Sequence, residues 1–239
     1  MRFLVLTFFL FISGCQTDDF KVLNNQGQQS TQEVNNEMDK LNQALLAATR
    51  QGDKELITKL LTDGADIDVT DNEGRTPALI AVHTNQLDIF KLLLEKGANI
   101  NIRDNRSDNP LLYAGAEGML DFVKVSIAAG ADTSIVNRFG GTALIPAADR
   151  GHVDIVKELL TSSDVNIDHV NNLGWTALLE AIILGDGGKA HQTIVELLIQ
   201  HGADIQLADS NGISPLQHAQ NRGYQEMVEM LMNKRSESL

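Results

Sequence analysis

Asp71 to Asn101 reads DNEGRTPALIAVHTNQLDIFKLLLEKGANIN, and this stretch decides the fold. Thr76 is a hydroxyl residue placed to cap a helix, accepting from a backbone N–H that has no partner of its own. Pro77 follows at the first helical position, where its missing N–H costs nothing. A second apolar segment, IFKLLLEKG, ends at Gly97, a residue suited to a left-handed helix stop. The same grammar returns at Asn109, Thr142, Thr176 and Ser214, at spacings of 33, 33, 34 and 38 residues. Pro110 and Pro215 repeat the Pro77 position, and Ala81, Ala114, Ala147, Ala181 and Ala219 supply a small residue for close helix approach. Gly64, Gly130 and Gly202 repeat the stop, whereas Ser163 stands in its place once. A period near 33 predicts a stack of two-helix units, each burying its apolar face only against its neighbours.

Several segments resemble the ankyrin repeat: Thr76-Pro77, Gly97-Ala98-Asn99, Gly151 to Val156 (GHVDIV) and Gly202-Ala203-Asp204-Ile205. The resemblance implies an all-α solenoid of about six ankyrin repeats, each a β-turn finger followed by two antiparallel helices. The repeats would occupy about 37–71, 72–104, 105–137, 138–171, 172–209 and 210–235. The family's histidine two residues after the proline is absent; Leu79, Leu112, Ile145, Leu179 and Gln217 stand there. His152 matches the family's turn histidine, a structural role.

Individual repeats depart from the pattern. Pro146 lies about four residues into a helix and predicts a mild local distortion. Repeat five carries about five extra residues within Leu184 to Gln192. In the terminal repeats, Leu56, Ile57, Leu60 and Leu61 are expected to face the core, as are Met227, Val228, Leu231 and Met232.

The N-terminal residues read as address rather than fold. Met1 and Arg2 precede a short apolar run, Phe3 to Ile12, too short to span a bilayer as a stable helix. Ile12-Ser13-Gly14-Cys15 resembles a bacterial lipobox, which implies a signal peptide over residues 1–14 and lipid on the Cys15 sulfur. Gln16 in the next position resembles an outer-membrane sorting signal, so the expected location is the bacterial envelope, outer membrane, facing the periplasm. The alternative is an ordinary secretory signal with an accidental cysteine. Residues 16–36 are rich in Gln, Asn and Ser and bury little, so a tether with a reach of roughly 25 Å is expected.

Composition excludes several chemistries. The 32 acidic and 19 basic residues give −13, which disfavours nucleic acid; a basic protein surface is the easier partner inference, but the plainer reading of the acidity is that it serves solubility alone. One cysteine allows neither an internal disulfide nor a cysteine-based zinc site. No two histidines have metal-ligand spacing, and Asp66, Asp68 and Asp71 miss the calcium-loop pattern. The Gly-rich insertion offers Asp186, Lys189 and His191, but it lacks the phosphate-loop pattern and follows no strand. Its plainer reading is a longer helix–helix turn, with contact to a protein partner between the two extremes.

In the family that the repeats resemble, partners meet the finger tips and the exposed face of the first helix. Transferred by register, repeats two and three are polar there, while repeats four to six present Phe139, Leu173, Trp175, Ile183, Leu184 and Ile213. A contiguous apolar patch tends to mark an interaction site. The expected function is therefore a non-catalytic, monomeric scaffold that needs no cofactor or metal and grips a folded protein. An envelope hydrolase or ligand-binding protein using the insertion, or a structural spacer, are the alternatives.

Overall fold

The computed structural model describes residues 35–237. Among them are twelve helices and no strand: α1 (35–51), α2 (Lys54–Thr62), α3 (Pro77–His83), α4 (Leu87–Glu95), α5 (Pro110–Ala116), α6 (Leu120–Ala128), α7 (Leu144–Asp149), α8 (Val153–Ser162), α9 (Ala177–Ile183), α10 (Lys189–Gln200), α11 (Pro215–Arg222) and α12 (Gln225–Glu237). The expected signal peptide, Cys15 and most of the expected tether lie outside the described residues.

The helices from α3 on pair as α3/α4, α5/α6 and so on, and each pair packs on the next, while Leu45 of α1 and Ile57 of α2 belong to the same core. No helix among the described residues is long and apolar enough to cross a membrane. Leu45, Ile57, Phe90, Leu111, Leu144, Ile155, Leu178 and Leu198 run through the stack as one apolar core. Each such side chain contributes about 1.5–3 kcal/mol. Leu79, Leu112, Ile145 and Leu179, which replace the family's histidine, join the buried set.

Every finger is built around one Asx residue. Asp71, Asp104, Asn137, Asn171 and Asp209 each accept two backbone N–H groups, two and four residues ahead, through one side-chain oxygen. That closes the turn without help from a neighbour. Adjacent fingers are then joined, for instance Asn105 N–H to Glu73 O (2.9 Å) and Asn172 N–H to Phe139 O (3.0 Å). His169 Nε2 reaches Gly140 O at 2.7 Å and adds a side-chain bond between fingers.

Side-chain caps form where expected at Thr76, Asn109, Thr176 and Ser214. Repeat four differs, and Pro146 is the reason. With no amide on Pro146 to bond the Thr142 carbonyl, Ile145 N–H takes that carbonyl at 3.2 Å instead. The Thr142 hydroxyl is left buried without a partner, and α7 starts a residue late. Ser163 also has a physical substitute for the glycine stop. Its backbone leaves α8 extended, at φ −138°, while its hydroxyl donates to Leu159 O at 2.6 Å.

Two expectations about the terminal repeats are corrected. Leu56 and Met232 are exposed, while their neighbours Ile57, Leu60, Met227, Val228 and Leu231 are buried. Each exposed residue sits in an end repeat of the described residues.

Candidate interaction groove

The fingers of repeats two to five and the adjoining first-helix faces enclose a groove of about 600 Å³. Its apolar part is Phe139, Leu173 and Leu184, exposed to 55%, 54% and 49%. Phe139 and Leu173 occupy the same finger position in consecutive repeats, which the Asx turns aim outward. Leu184 caps the end of α9. The Arg138 guanidinium lies 4.4 Å from the Phe139 ring centroid, within the range of a cation–π contact.

The other expected contact residues are placed differently. Trp175, Ile183 and Ile213 are half-buried and are not part of this lining. The groove instead extends toward repeats two and three, through Arg75, His83, Arg106 and Tyr113. His83 and Tyr113 stack with centroids 3.8 Å apart. Burial, and then the nearby Arg75 charge, push the His83 imidazole below its ordinary value.

One helix position explains the groove floor. Ile80, Tyr113, Pro146, Glu180 and His218 all lie four residues after the capping residue of their repeats. Glu180 is 5% exposed, accepts from Asn171 Nδ2 at 2.7 Å, and so braces the finger that carries Leu173. His218 makes the equivalent bond to Asp209 at 2.9 Å. Burial pushes the Glu180 carboxyl up to about 7, against the Asn171 hydrogen bond and with a smaller push from Asp149. Sequence reading passed over Tyr113 and Glu180. Aligning the repeats on their caps would have exposed them as non-aliphatic residues in that column.

The repeat-five insertion is a packed turn. Asp186 accepts from Gly188 N–H and lies 2.8 Å from His191 Nδ1. Those contacts, the Gly188 amide first, hold its carboxyl below the usual range. His191 itself is only 9% exposed, with Nε2 2.9 Å from Asp149 O in the preceding repeat. The ring thus lies between two oxygen atoms, the Asp186 carboxylate and the Asp149 carbonyl. Tyr224 Oη donates to Gly185 O at 2.9 Å from the repeat that follows. Lys189 is exposed at the start of α10. The insertion thus links three repeats, with Asp186 and Lys189 at its surface and His191 inside. Among the described residues, no three His, Cys, Asp or Glu side chains are grouped to hold a metal.

The stacked helix pairs, the finger row and the open groove define a helical repeat protein whose surface, rather than a closed catalytic pocket, is its distinctive feature. The chain belongs to the ankyrin repeat family: the family described as ankyrin repeats (3 copies) matches residues 10–104 and 111–209. The ankyrin repeat protein YahD of Escherichia coli K12 is 47% identical over 75 residues, which are 31% of this chain and 37% of YahD. The Notch-regulated ankyrin repeat-containing protein of Xenopus tropicalis is 35% identical over 75 residues, 31% of this chain and 61% of that protein. The chain thus spans less than two thirds of the length of either relative. An ankyrin repeat domain from Acinetobacter baumannii AYE superposes with a TM-score of 0.77 at 48% identity, over 80% of this chain and 96% of that domain. The ankyrin repeat domain of Bcl-3, of the IkappaB family, gives 0.73 at 26% identity, over 80% and 85%.

Proposed function

We propose that this chain is a non-catalytic scaffold that grips a folded protein partner through the concave groove while a lipid on Cys15 tethers it to the bacterial envelope. The observation that carries the binding half is the gathering of three exposed apolar side chains, Phe139, Leu173 and Leu184, in one groove. Their burial would add to binding, and nothing in the stack requires them to be apolar. Ankyrin repeat domains typically bind protein partners, and membership of the family supports the same reading. The sequence Ile12-Ser13-Gly14-Cys15-Gln16 supports the tether, on the outer membrane and facing the periplasm. A lipid with more than one acyl chain exceeds the threshold for stable anchoring.

The test is affinity capture from envelope extract with the full chain, beside a Phe139→Ser, Leu173→Ser variant of unchanged helicity. Retention of a protein by the wild type and its loss from the variant are expected. Equal retention would move the binding site elsewhere, and retention of nothing specific would favour a structural spacer. The tether is tested separately by incorporation of labelled fatty acid, which Cys15→Ser should abolish.

A further inference from the structure

The charged side chains of the groove lie at two depths. Glu180 is buried, and Asp108 and Asp149 are half-buried. Glu117 is exposed but bound to Arg150 at 2.7 Å. Arg75 is tied to Asp71 and Glu73 at 2.9 and 2.8 Å. Arg106 and Arg138 differ from all of these. They project from the consecutive fingers of repeats three and four, both exposed, and among the described residues neither has a carboxylate at ion-pair distance. Beside them lies the apolar surface of Phe139, Leu173 and Leu184. The groove is therefore polarised along the stack, with guanidinium groups that no carboxylate pairs toward repeats two to four, Arg138 resting on the Phe139 ring, and apolar surface toward repeats four and five.

Resting on the interaction reading above, we propose that the groove takes an extended segment of the partner protein in which acidic side chains adjoin a bulky apolar one. The carboxylates pair with Arg106 and Arg138, and the apolar residue seats on Phe139, Leu173 and Leu184. Guanidinium groups favour this partner because they bind carboxylates in a two-pronged, charge-assisted geometry. A basic segment would meet two like charges at the exposed rim, whereas Glu180 is buried, Glu117 is already paired, and Asp108 and Asp149 are half-buried.

The chain's formal charge of −13 points the other way, but it acts at a distance. Screening over about 8 Å in physiological salt leaves the groups in contact to decide the preference. The shape also suits an extended chain. Packed helices lie about 8–10 Å apart, so the groove's run from repeat two to repeat five is about 30 Å, or about nine residues of strand at about 3.3 Å each.

A phage-displayed library of random nonapeptides, panned on the immobilised full chain, tests this directly. Enrichment of Asp and Glu next to Phe, Leu, Ile or Trp is expected. The best peptide should bind at least tenfold more weakly to an Arg106→Glu, Arg138→Glu variant whose melting temperature is unchanged. If that variant does not fold, Arg106→Ser, Arg138→Ser takes its place with the same expectation. Enrichment of Lys and Arg, no enrichment at all, or equal binding to the arginine variant would each overturn the proposal. Capture of a protein that depends on Phe139 and Leu173 but not on the two arginines would leave the scaffold reading standing and reject the acidic preference alone. A wild-type chain that captures nothing would count against the scaffold reading itself.

Discussion

His191 Nε2 lies 2.9 Å from the Asp149 carbonyl oxygen, and one repeat earlier His152 Nε2 lies 3.1 Å from the carbonyl of Ala116. Asp149 and Ala116 end the first helices of their repeats, where backbone carbonyls have no partner inside the helix. Gln86 does the same for Arg50 at 3.1 Å, and the Tyr224 hydroxyl donates to Gly185 at 2.9 Å. The chain therefore carries a ladder of side-chain bonds, each joining one repeat to the carbonyl end of the repeat before. The insertion changes where repeat five's histidine falls in the sequence but not what it reaches.

His191→Ala should consequently weaken the boundary between repeats four and five. Loss of the bond, which leaves the Asp149 carbonyl without its partner, costs about 1–3 kcal/mol. His201→Ala is the control, because that ring is exposed and bonds only within its own helix, to Leu197 O; a change within about 0.5 kcal/mol is expected there. Urea unfolding of the two variants decides it, and equal midpoints would remove His191 from the ladder.

The glycines offer a cleaner separation of backbone from packing. Gly187 and Gly212 have nearly the same backbone, φ +72° and +76°. A Cβ on Gly212 meets nothing within 4 Å, whereas one on Gly187 would sit 2.4 Å from the Tyr224 ring. Both alanine variants bear the left-handed cost of about 1–2 kcal/mol. Gly187→Ala should lose about 1–3 kcal/mol more through overpacking. Calorimetry on the pair measures the difference, and identical melting would show that the Tyr224 ring yields freely.

The repeat period, the caps and the helix stops were legible because each rests on a residue type acting on its own backbone. Thr76 caps wherever it stands before a helix, and Gly97 at φ +94° ends one. The groove was only half legible. Phe139, Leu173 and Leu184 line it as their register implied, but the depth of Trp175 and Ile213 depends on neighbouring fingers, which no single repeat encodes. Glu180 stayed hidden because its burial becomes visible only when five repeats are aligned on their caps. The role of His191 was masked by the inserted residues. The net charge of −13 carries no information on local placement, such as Arg106 and Arg138 lining one groove.

Pro146 leads to a prediction that reverses the usual rule for capping residues. Thr176 and Thr142 are both buried threonines at the head of a first helix. The Thr176 hydroxyl accepts from Leu179 N–H at 3.2 Å, whereas the Thr142 hydroxyl has no partner. Thr176→Ala should cost about 1 kcal/mol. Thr142→Ala should be neutral or slightly stabilising, because it deletes an unpaired buried hydroxyl. Chemical denaturation of both variants checks the contrast, and a loss at Thr142 equal to that at Thr176 would contradict the account of α7.

Glu180 makes stability depend on pH in a direction opposite to that of a paired carboxylate. Its carboxyl is pushed up to about 7 by burial, and it returns to an ordinary value near 4.5 when the chain unfolds. Between those limits the folded chain holds more protons than the unfolded one, so stability falls as pH rises. The contribution is fully present below about 4.5 and lost above about 7. At about 1.4 kcal/mol per pH unit, the whole window is worth at most about 3.5 kcal/mol. Glu180→Gln keeps an acceptor for Asn171 and has no charge to bury. The variant should therefore be more stable than the wild type at pH 8, by an amount that shrinks toward pH 5. Urea midpoints collected across that range give the test. Parallel curves for the two proteins would mean that Glu180 stays ionised in the fold, with water or a shift of α9 relieving its burial.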